Sequence, residues 1–132
     1  MNSKLEIKKT KSKGRGVFAV KSFKKGEVIE ECPVILLSKK DMIHCEKTLL
    51  EKYIYEWKEN GDGAVALGYG SLYNHGFNPN AEYEFVYSKK LIVYKALRSI
   101  KKGEEVVVNY NGNMDNNDPI DFEHPRRYQI TK

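Results

Sequence analysis

The stretch that most constrains this chain runs from residue 66 to residue 81, Ala-Leu-Gly-Tyr-Gly-Ser-Leu-Tyr-Asn-His-Gly-Phe-Asn-Pro-Asn-Ala. Within it, amide and imidazole side chains crowd together at Asn74, His75, Asn78 and Asn80. Asparagine is a poor helix and strand former, and Pro79 prevents either structure from continuing regularly. These side chains are nevertheless short and carry hydrogen-bond donors and acceptors. The stretch therefore predicts a polar site held between two apolar segments.

The rest of the chain is typical of many short strands separated by glycine-bearing turns. Alternating or β-branched segments predict strands at residues 5–8, 17–20, 28–29, 34–37, 53–57, 64–67, 81–87, 91–97 and 106–110. Pro33 is expected to separate the third strand from the fourth. Helical turns are expected to begin at residues 38–41 and 48–51, and another is expected at residues 70–75. This pattern predicts a mostly β domain built from several small sheets.

The composition limits the class of protein further. A chain of 132 residues is the size of one domain, and no apolar run is long enough to span a bilayer. The two cysteines, Cys32 and Cys45, have no zinc-binding spacing, so no metal site is predicted. We expect an intracellular protein with no secretion signal. The formal charge of +5 leaves a small nucleic-acid-binding domain open, but the lysines are spread over turns and make nucleic acid an unlikely partner.

Two further stretches carry chemistry. Gly14-Arg15-Gly16 is a turn that runs into a strand, and residues 103–110, Gly-Glu-Glu-Val-Val-Val-Asn-Tyr, form a strand that ends on a phenol. With the Asn-His stretch between them, these motifs resemble the SET-domain protein lysine methyltransferases. The family pattern is a GxG turn, an N-H-S-x-x-P-N segment and a G-E-E-ϕ-x-ϕ-x-Y strand. The resemblance extends over residues 5–110 and implies small curved sheets with a C-terminal segment threaded under a loop.

The resemblance implies that S-adenosylmethionine is the cofactor and a lysine-containing protein or peptide the substrate. Its cofactor-binding residues would be Lys13, Gly14, Arg15, Gly16, Asn74 and His75. The Asn74 side chain would face the amino-acid moiety and the backbone at His75 the adenine, while Lys13 or Arg15 would supply charge for the cofactor carboxylate. Tyr110 would be the catalytic tyrosine, which orients the amine of the substrate.

The lysine must reach the methyl donor as a neutral amine, although its free pKa is about 10.4. A narrow aromatic channel disfavours the ammonium by desolvation. Tyr53 stands where small members of the family place a channel aromatic, and Tyr69, Tyr73 and Phe122 are further candidates for which core packing is an equal alternative. Backbone carbonyls of residues 71–73 are expected to receive weak C–H···O contacts from the methyl group.

The chain departs from the family pattern in several places. Gly76 replaces the serine after Asn-His, Phe77 replaces the cysteine that commonly follows, and the zinc-binding cysteine clusters are absent. The compact viral and bacterial members share these losses, which implies a single SET domain over residues 1–132. Residues 111–132 would then close the lysine channel, with Phe122 as the closing aromatic. Analogy with the viral members also implies a homodimer and, for a viral protein, the host nucleus.

Two classes of function therefore lead. The first is a protein lysine N-methyltransferase acting on a histone or another basic protein. The alternative is a catalytically silent module of the same fold that binds a peptide or the cofactor. Tyr110 favours the enzyme.

Overall fold

The computed structural model describes residues 3–58 and 60–110. Nine strands are present in these residues: β1 Leu5–Lys9, β2 Arg15–Ala19, β3 Val28–Leu37, β4 Ile54–Glu56, β5 Gly63–Ala66, β6 Asn74–His75, β7 Ala81–Val86, β8 Leu91–Ala96 and β9 Glu105–Val108. The helices are α1 (Lys39–Cys45) and two 3-10 helices, Leu49–Tyr53 and Tyr87–Lys89. The predicted mostly β class is confirmed. The predicted C-terminal segment, residues 111–132 with Phe122, lies outside the described residues.

The strands form two sheets that share no strand. The four-stranded sheet has the order β1-β2-β9-β6, and the five-stranded sheet the order β4-β5-β3-β8-β7. The short strand β6 pairs in parallel with β9, so that Asn74 lies opposite Val107 and His75 opposite Val108. Because β2 pairs with the other edge of β9, this sheet joins the three motifs of the sequence.

Pro33 does not end a strand, and the predicted break there is wrong. Strand β3 continues through it, with residues 28–33 paired to β8 and residues 34–37 paired to β5. Pro33 therefore stands where the strand changes partner. Its carbonyl still accepts the Leu67 N–H at 2.9 Å, so the missing N–H of proline interrupts neither ladder.

The helical turn expected at residues 70–75 is also wrong. Turns occupy residues 67–72, and residues 74–75 are extended as β6 because β9 offers them a parallel partner. The helix expected to begin near residue 38 is confirmed. Ser38 caps α1 in a capping box, accepting the Asp41 N–H while the Asp41 carboxylate accepts the Ser38 N–H.

Tyrosines dominate the largest fully buried side chains. Four of them, Tyr55, Tyr73, Tyr83 and Tyr94, are 0 to 1% exposed. Their hydroxyls are hydrogen-bonded, as burial of a polar group requires: Tyr55 donates to the Gly70 carbonyl at 2.7 Å, and Tyr94 donates to the Tyr55 hydroxyl at 2.7 Å. Through the Gly70 carbonyl, this core holds the turns at residues 67–72, which lead into β6.

Candidate active site

Tyr110 follows β9, and three of its groups are hydrogen-bonded: the backbone N–H, the backbone carbonyl and the side-chain hydroxyl. Its N–H donates to Nδ1 of His75 at 3.0 Å, and its carbonyl accepts the Tyr83 hydroxyl at 3.1 Å. Its own hydroxyl donates to the backbone carbonyl of Tyr73 at 2.7 Å. The residue is only 7% exposed. Both the backbone and the phenol oxygen of Tyr110 therefore have a fixed place.

Tyr73 meets Tyr110 through its carbonyl, while its ring belongs to the core. The ring is 0% exposed and packs on Tyr94 with centroids 4.6 Å apart. Its hydroxyl donates to Oε1 of Glu30 at 2.7 Å. Burial, followed by the nearby Glu30 charge, raises the pKa of Tyr73 well above its ordinary value. The phenol therefore stays protonated and remains a donor.

His75 is an acceptor toward Tyr110. Since its Nδ1 accepts the Tyr110 N–H, that nitrogen carries no proton. Burial and, after it, the Lys13 charge lower the pKa of His75 below its ordinary value of 6.5. The imidazole also lies edge-on to Phe77, with ring centroids 4.6 Å apart. The geometry and the lowered pKa both indicate a neutral histidine.

We expect acid to weaken the fold through His75. Because the folded-state pKa lies below the unfolded value, the unfolded chain binds the proton more readily. The stabilisation is therefore complete above about pH 6.5 and is lost as the pH falls from there through the lowered folded-state pKa. Thermal melts between pH 8 and pH 5 should show this loss, and His75→Asn should flatten it. An identical pH dependence in both proteins would contradict the assignment.

A polar cluster lies beside this tyrosine site, where β2, β6 and β9 adjoin. The Asn74 amide nitrogen donates to the Arg15 carbonyl at 3.0 Å and to Oε2 of Glu105 at 2.8 Å. Nζ of Lys13 lies 3.3 Å from Oε1 of the same Glu105, whose side chain is 17% exposed. The structure thus brings together the predicted residues of the glycine turn and of the Asn-His stretch, and adds Glu105 between them.

Glycine is required at Gly14 and at Gly16 of the turn for different reasons. Gly14 takes a φ of +70°, a conformation that favours glycine. At Gly16 the reason is close approach, since an added Cβ would lie 2.5 Å from Oε2 of Glu105 and 2.9 Å from Nδ2 of Asn74. The backbone of β2 therefore passes directly against the polar cluster.

The remaining predicted residues are more scattered. Tyr53 ends the first 3-10 helix, and its carbonyl accepts the Ser71 hydroxyl at 3.0 Å. Tyr69 is partly buried against the core, and its N–H donates to Oε2 of Glu30 at 3.0 Å. Phe122 lies outside the described residues. Asn80 is buried and bonds to the backbone of β9 through both ends of its amide, so it braces this segment.

Two carboxylates in this region were not predicted, Glu30 and Glu105. The second glutamate of the Gly-Glu-Glu motif was the available signal for Glu105. Glu30 stands next to Glu31 on a strand and carried no signal of its own. The departure at Gly76 also has a local reason, because an added Cβ would lie 2.7 Å from Cγ1 of Val107.

Other site types receive no support from the described part of the chain. In residues 3–58 and 60–110, no three His, Cys, Asp or Glu side chains are grouped so as to hold a metal ion. Over the same residues, no helix is both long and apolar enough to cross a membrane.

Comparison with known proteins identifies the class. Residues 14–111 match the SET domain family. A Schizosaccharomyces pombe histone-lysine N-methyltransferase specific for H3 lysine 37 is 38% identical over 115 residues, which cover 86% of this chain and 78% of that relative. The chain therefore belongs to the SET domain family. It is a protein lysine methyltransferase that uses S-adenosylmethionine, as the resemblance implied.

Solved structures agree with this assignment. The crystal structure of a Plasmodium falciparum protein assigned as a histone methyltransferase matches with a TM-score of 0.64 and 32% identity, over 83% of this chain and 95% of that chain. The Chaetomium thermophilum Polycomb Repressive Complex 2 bound to S-adenosylmethionine matches with a TM-score of 0.66 and 23% identity. This match covers 82% of this chain and 15% of that chain, and it shows the fold alone.

Proposed function

We propose that the chain methylates a lysine of a histone or another basic protein, with Tyr110 as the catalytic residue. The observation that carries the role of Tyr110 is its buried hydroxyl, fixed at 2.7 Å from the Tyr73 carbonyl beside the Asn74 cluster. The histone substrate rests on the Schizosaccharomyces pombe relative. The formal charge of this chain is itself +5, so recognition of a basic substrate would depend on local acidic groups rather than on net charge.

The cofactor would bind at Lys13, Gly14, Arg15, Gly16, Asn74 and His75. Its amino-acid moiety carries one ammonium and one carboxylate. Both hydrogens of the Asn74 amide are donated to acceptors that have no proton to return, the Arg15 carbonyl and the Glu105 carboxylate. The amide therefore offers Oδ1 to a ligand, which suits the ammonium, while the Lys13 side chain, 40% exposed, suits the carboxylate.

Tyr110 would orient the substrate amine by accepting a hydrogen bond. Once bound, the cofactor supplies an electrophilic methyl group on its sulfonium. The neutral lysine amine has one lone pair, which must point toward that methyl group, and two N–H donors. Because the Tyr110 proton is already donated to the Tyr73 carbonyl, its oxygen can accept one of those N–H groups without occupying the lone pair. This division of donors and acceptors is the chemical reason for a tyrosine here.

Aromatic groups near this point would keep water from the amine. We propose Tyr53 and Tyr69, both partly buried, and Phe122 as the channel aromatics. Tyr73 would contribute its carbonyl rather than its ring, since that ring is 0% exposed. A dry channel beside the cofactor cation lowers the pKa of the incoming lysine through desolvation and like-charge repulsion.

The activity is tested directly by incubation with labelled S-adenosylmethionine and a panel of histones and basic peptides, read by mass spectrometry. We expect label on lysine. The alternative function, a silent module of the same fold, predicts calorimetric binding of the cofactor or a peptide with no label transferred. An experiment that measures both binding and transfer therefore separates the two functions.

We expect alanine variants of the two asparagines to differ, one losing cofactor affinity and the other losing stability. Asn74→Ala removes a hydrogen-bond partner of the charged cofactor, which typically costs about 1.5–3 kcal/mol of binding free energy. Asn80→Ala removes buried bonds to the backbone of β9 and should lower the melting temperature instead. Calorimetry and thermal melts on both variants provide the measurement. Equal losses of affinity would show that Asn74 does not bind the cofactor.

The larger organisation is also a proposal. We propose one SET domain over residues 1–132, with core residues 5–110 and closing segment 111–132, in an intracellular homodimer. Several large hydrophobic side chains are exposed and would be buried in a dimer contact: Ile35, Leu36, Ile43, Leu49, Leu50, Leu67 and Phe77. Light scattering over a range of concentrations tests the dimer, and a monomer mass throughout would exclude it.

A further inference from the structure

One carboxylate bonds to two residues of the segment that precedes Asn74. Oε2 of Glu30, on β3, accepts the Tyr69 N–H at 3.0 Å, and Oε1 accepts the Tyr73 hydroxyl at 2.7 Å. An added Cβ at Gly68 would fall against the same Oε2. The turn is therefore closed around a half-buried side chain from a strand some 40 residues earlier, since the two bonds span 39 and 43 residues.

We propose that Glu30 is a positioning residue for methyl transfer, acting through Tyr73 on Tyr110. The bond from Glu30 holds the side chain of Tyr73, and the carbonyl of that same residue accepts the Tyr110 hydroxyl at 2.7 Å. Glu30 thus fixes the position of the Tyr73 carbonyl. That carbonyl accepts the Tyr110 proton and so keeps it away from the substrate. The inference rests on the proposed role of Tyr110.

The strength of the Glu30 bond and the confinement of the Tyr73 ring favour this linkage over simple support of the fold. A hydrogen bond to a carboxylate is shorter and stronger than one between neutral groups. The Tyr73 ring is confined by Tyr94, so the phenol of Tyr73 has little freedom to find another acceptor. If Glu30 is removed, residue 73 and its carbonyl can shift. A misplacement of about 1 Å costs on the order of 100-fold in rate when it lies along the reaction geometry.

The variants are Glu30→Ala, Glu30→Gln and Glu31→Ala. Glu31 is the matched control, because it is the same residue type on the same strand but exposed. Glutamine can still accept the Tyr69 N–H through its oxygen and donate to the Tyr73 oxygen through its nitrogen. We expect Glu30→Ala to lower kcat about tenfold or more with KM for S-adenosylmethionine within about twofold, and Glu30→Gln to restore most of the rate. Glu31→Ala should resemble the wild type.

A double-mutant cycle with Tyr110→Phe decides between linkage and independent effects. Once the Tyr110 hydroxyl is gone, Glu30→Ala should lower kcat by less than about twofold further. A further loss as large as in the wild-type background would overturn the proposal. Near-normal turnover of Tyr110→Phe alone would instead overturn the proposed function of Tyr110, so the two failures are distinct.

If Glu30→Ala does not fold, Tyr73→Phe replaces it in the cycle. That variant removes the phenol that Glu30 holds and keeps the carbonyl. It should lower kcat in the wild-type background and leave the Tyr110→Phe rate unchanged.

Discussion

Tyr110→Phe is expected to lower turnover by about two orders of magnitude or more while cofactor affinity changes little. The substitution removes one oxygen and keeps the ring. The substrate amine loses the acceptor that directs its lone pair, and this loss is felt mainly in the transition state. Because the Tyr73 carbonyl also loses its donor, a fall in stability of about 1–3 kcal/mol should accompany the change.

Tyr55→Phe is the matched control for that loss of stability. Its hydroxyl is also buried and donates to a different backbone carbonyl, that of Gly70 at 2.7 Å, while it accepts the Tyr94 hydroxyl at 2.7 Å. We expect a similar fall in melting temperature with turnover largely kept.

Turnover of the wild type, Tyr110→Phe and Tyr55→Phe should rise on the alkaline side of neutrality, as the bound lysine loses its proton. Near-wild-type turnover of Tyr110→Phe would remove it from the catalytic role and direct attention to Tyr53.

The meeting of the three motifs was predictable from sequence because each carries residues with a chemical reason to be there. Gly14 allows a positive φ, Gly16 allows close approach of the backbone, Asn74 carries an amide, and Tyr110 follows a β-branched strand. Their order along the chain matched a known family, and that family places them together. The structure adds the physical means, the parallel pairing of β6 with β9 across 33 residues, Asn74 with Val107 and His75 with Val108.

What sequence reasoning missed depends on contacts between distant segments. Pro33 was expected to break a strand, because local propensity does not reveal a change of pairing partner. The Tyr73 ring was considered for the lysine channel but is buried in the core, and its carbonyl, expected to contact the methyl group, accepts the Tyr110 hydroxyl. No periodicity in residues 67–73 indicates which group faces inward. Glu30 lies on a strand beside an exposed glutamate, so its bonds to Tyr69 and Tyr73 were invisible in the sequence.

Gly16→Ala is expected to weaken S-adenosylmethionine binding by about tenfold to 150-fold, the equivalent of one hydrogen bond to a charged group. The added methyl group would lie 2.5 Å from Oε2 of Glu105 and 2.9 Å from Nδ2 of Asn74, both closer than real Cβ contacts allow. These side-chain ends must move, and the Asn74 amide then leaves the Arg15 carbonyl and no longer presents Oδ1 in a fixed direction.

Gly26→Ala separates this effect from general destabilisation. Gly26 has a φ of +83° and open space around its Cβ position, so alanine there strains the backbone without touching the Asn74 cluster. Calorimetric titration with S-adenosylmethionine and thermal melts on both variants give affinity and stability independently. We expect Gly26→Ala to melt earlier with its affinity intact, and Gly16→Ala to lose affinity beyond what its own melt explains. Unchanged affinity in Gly16→Ala would mean that the cluster of Lys13, Asn74 and Glu105 lies outside the cofactor site.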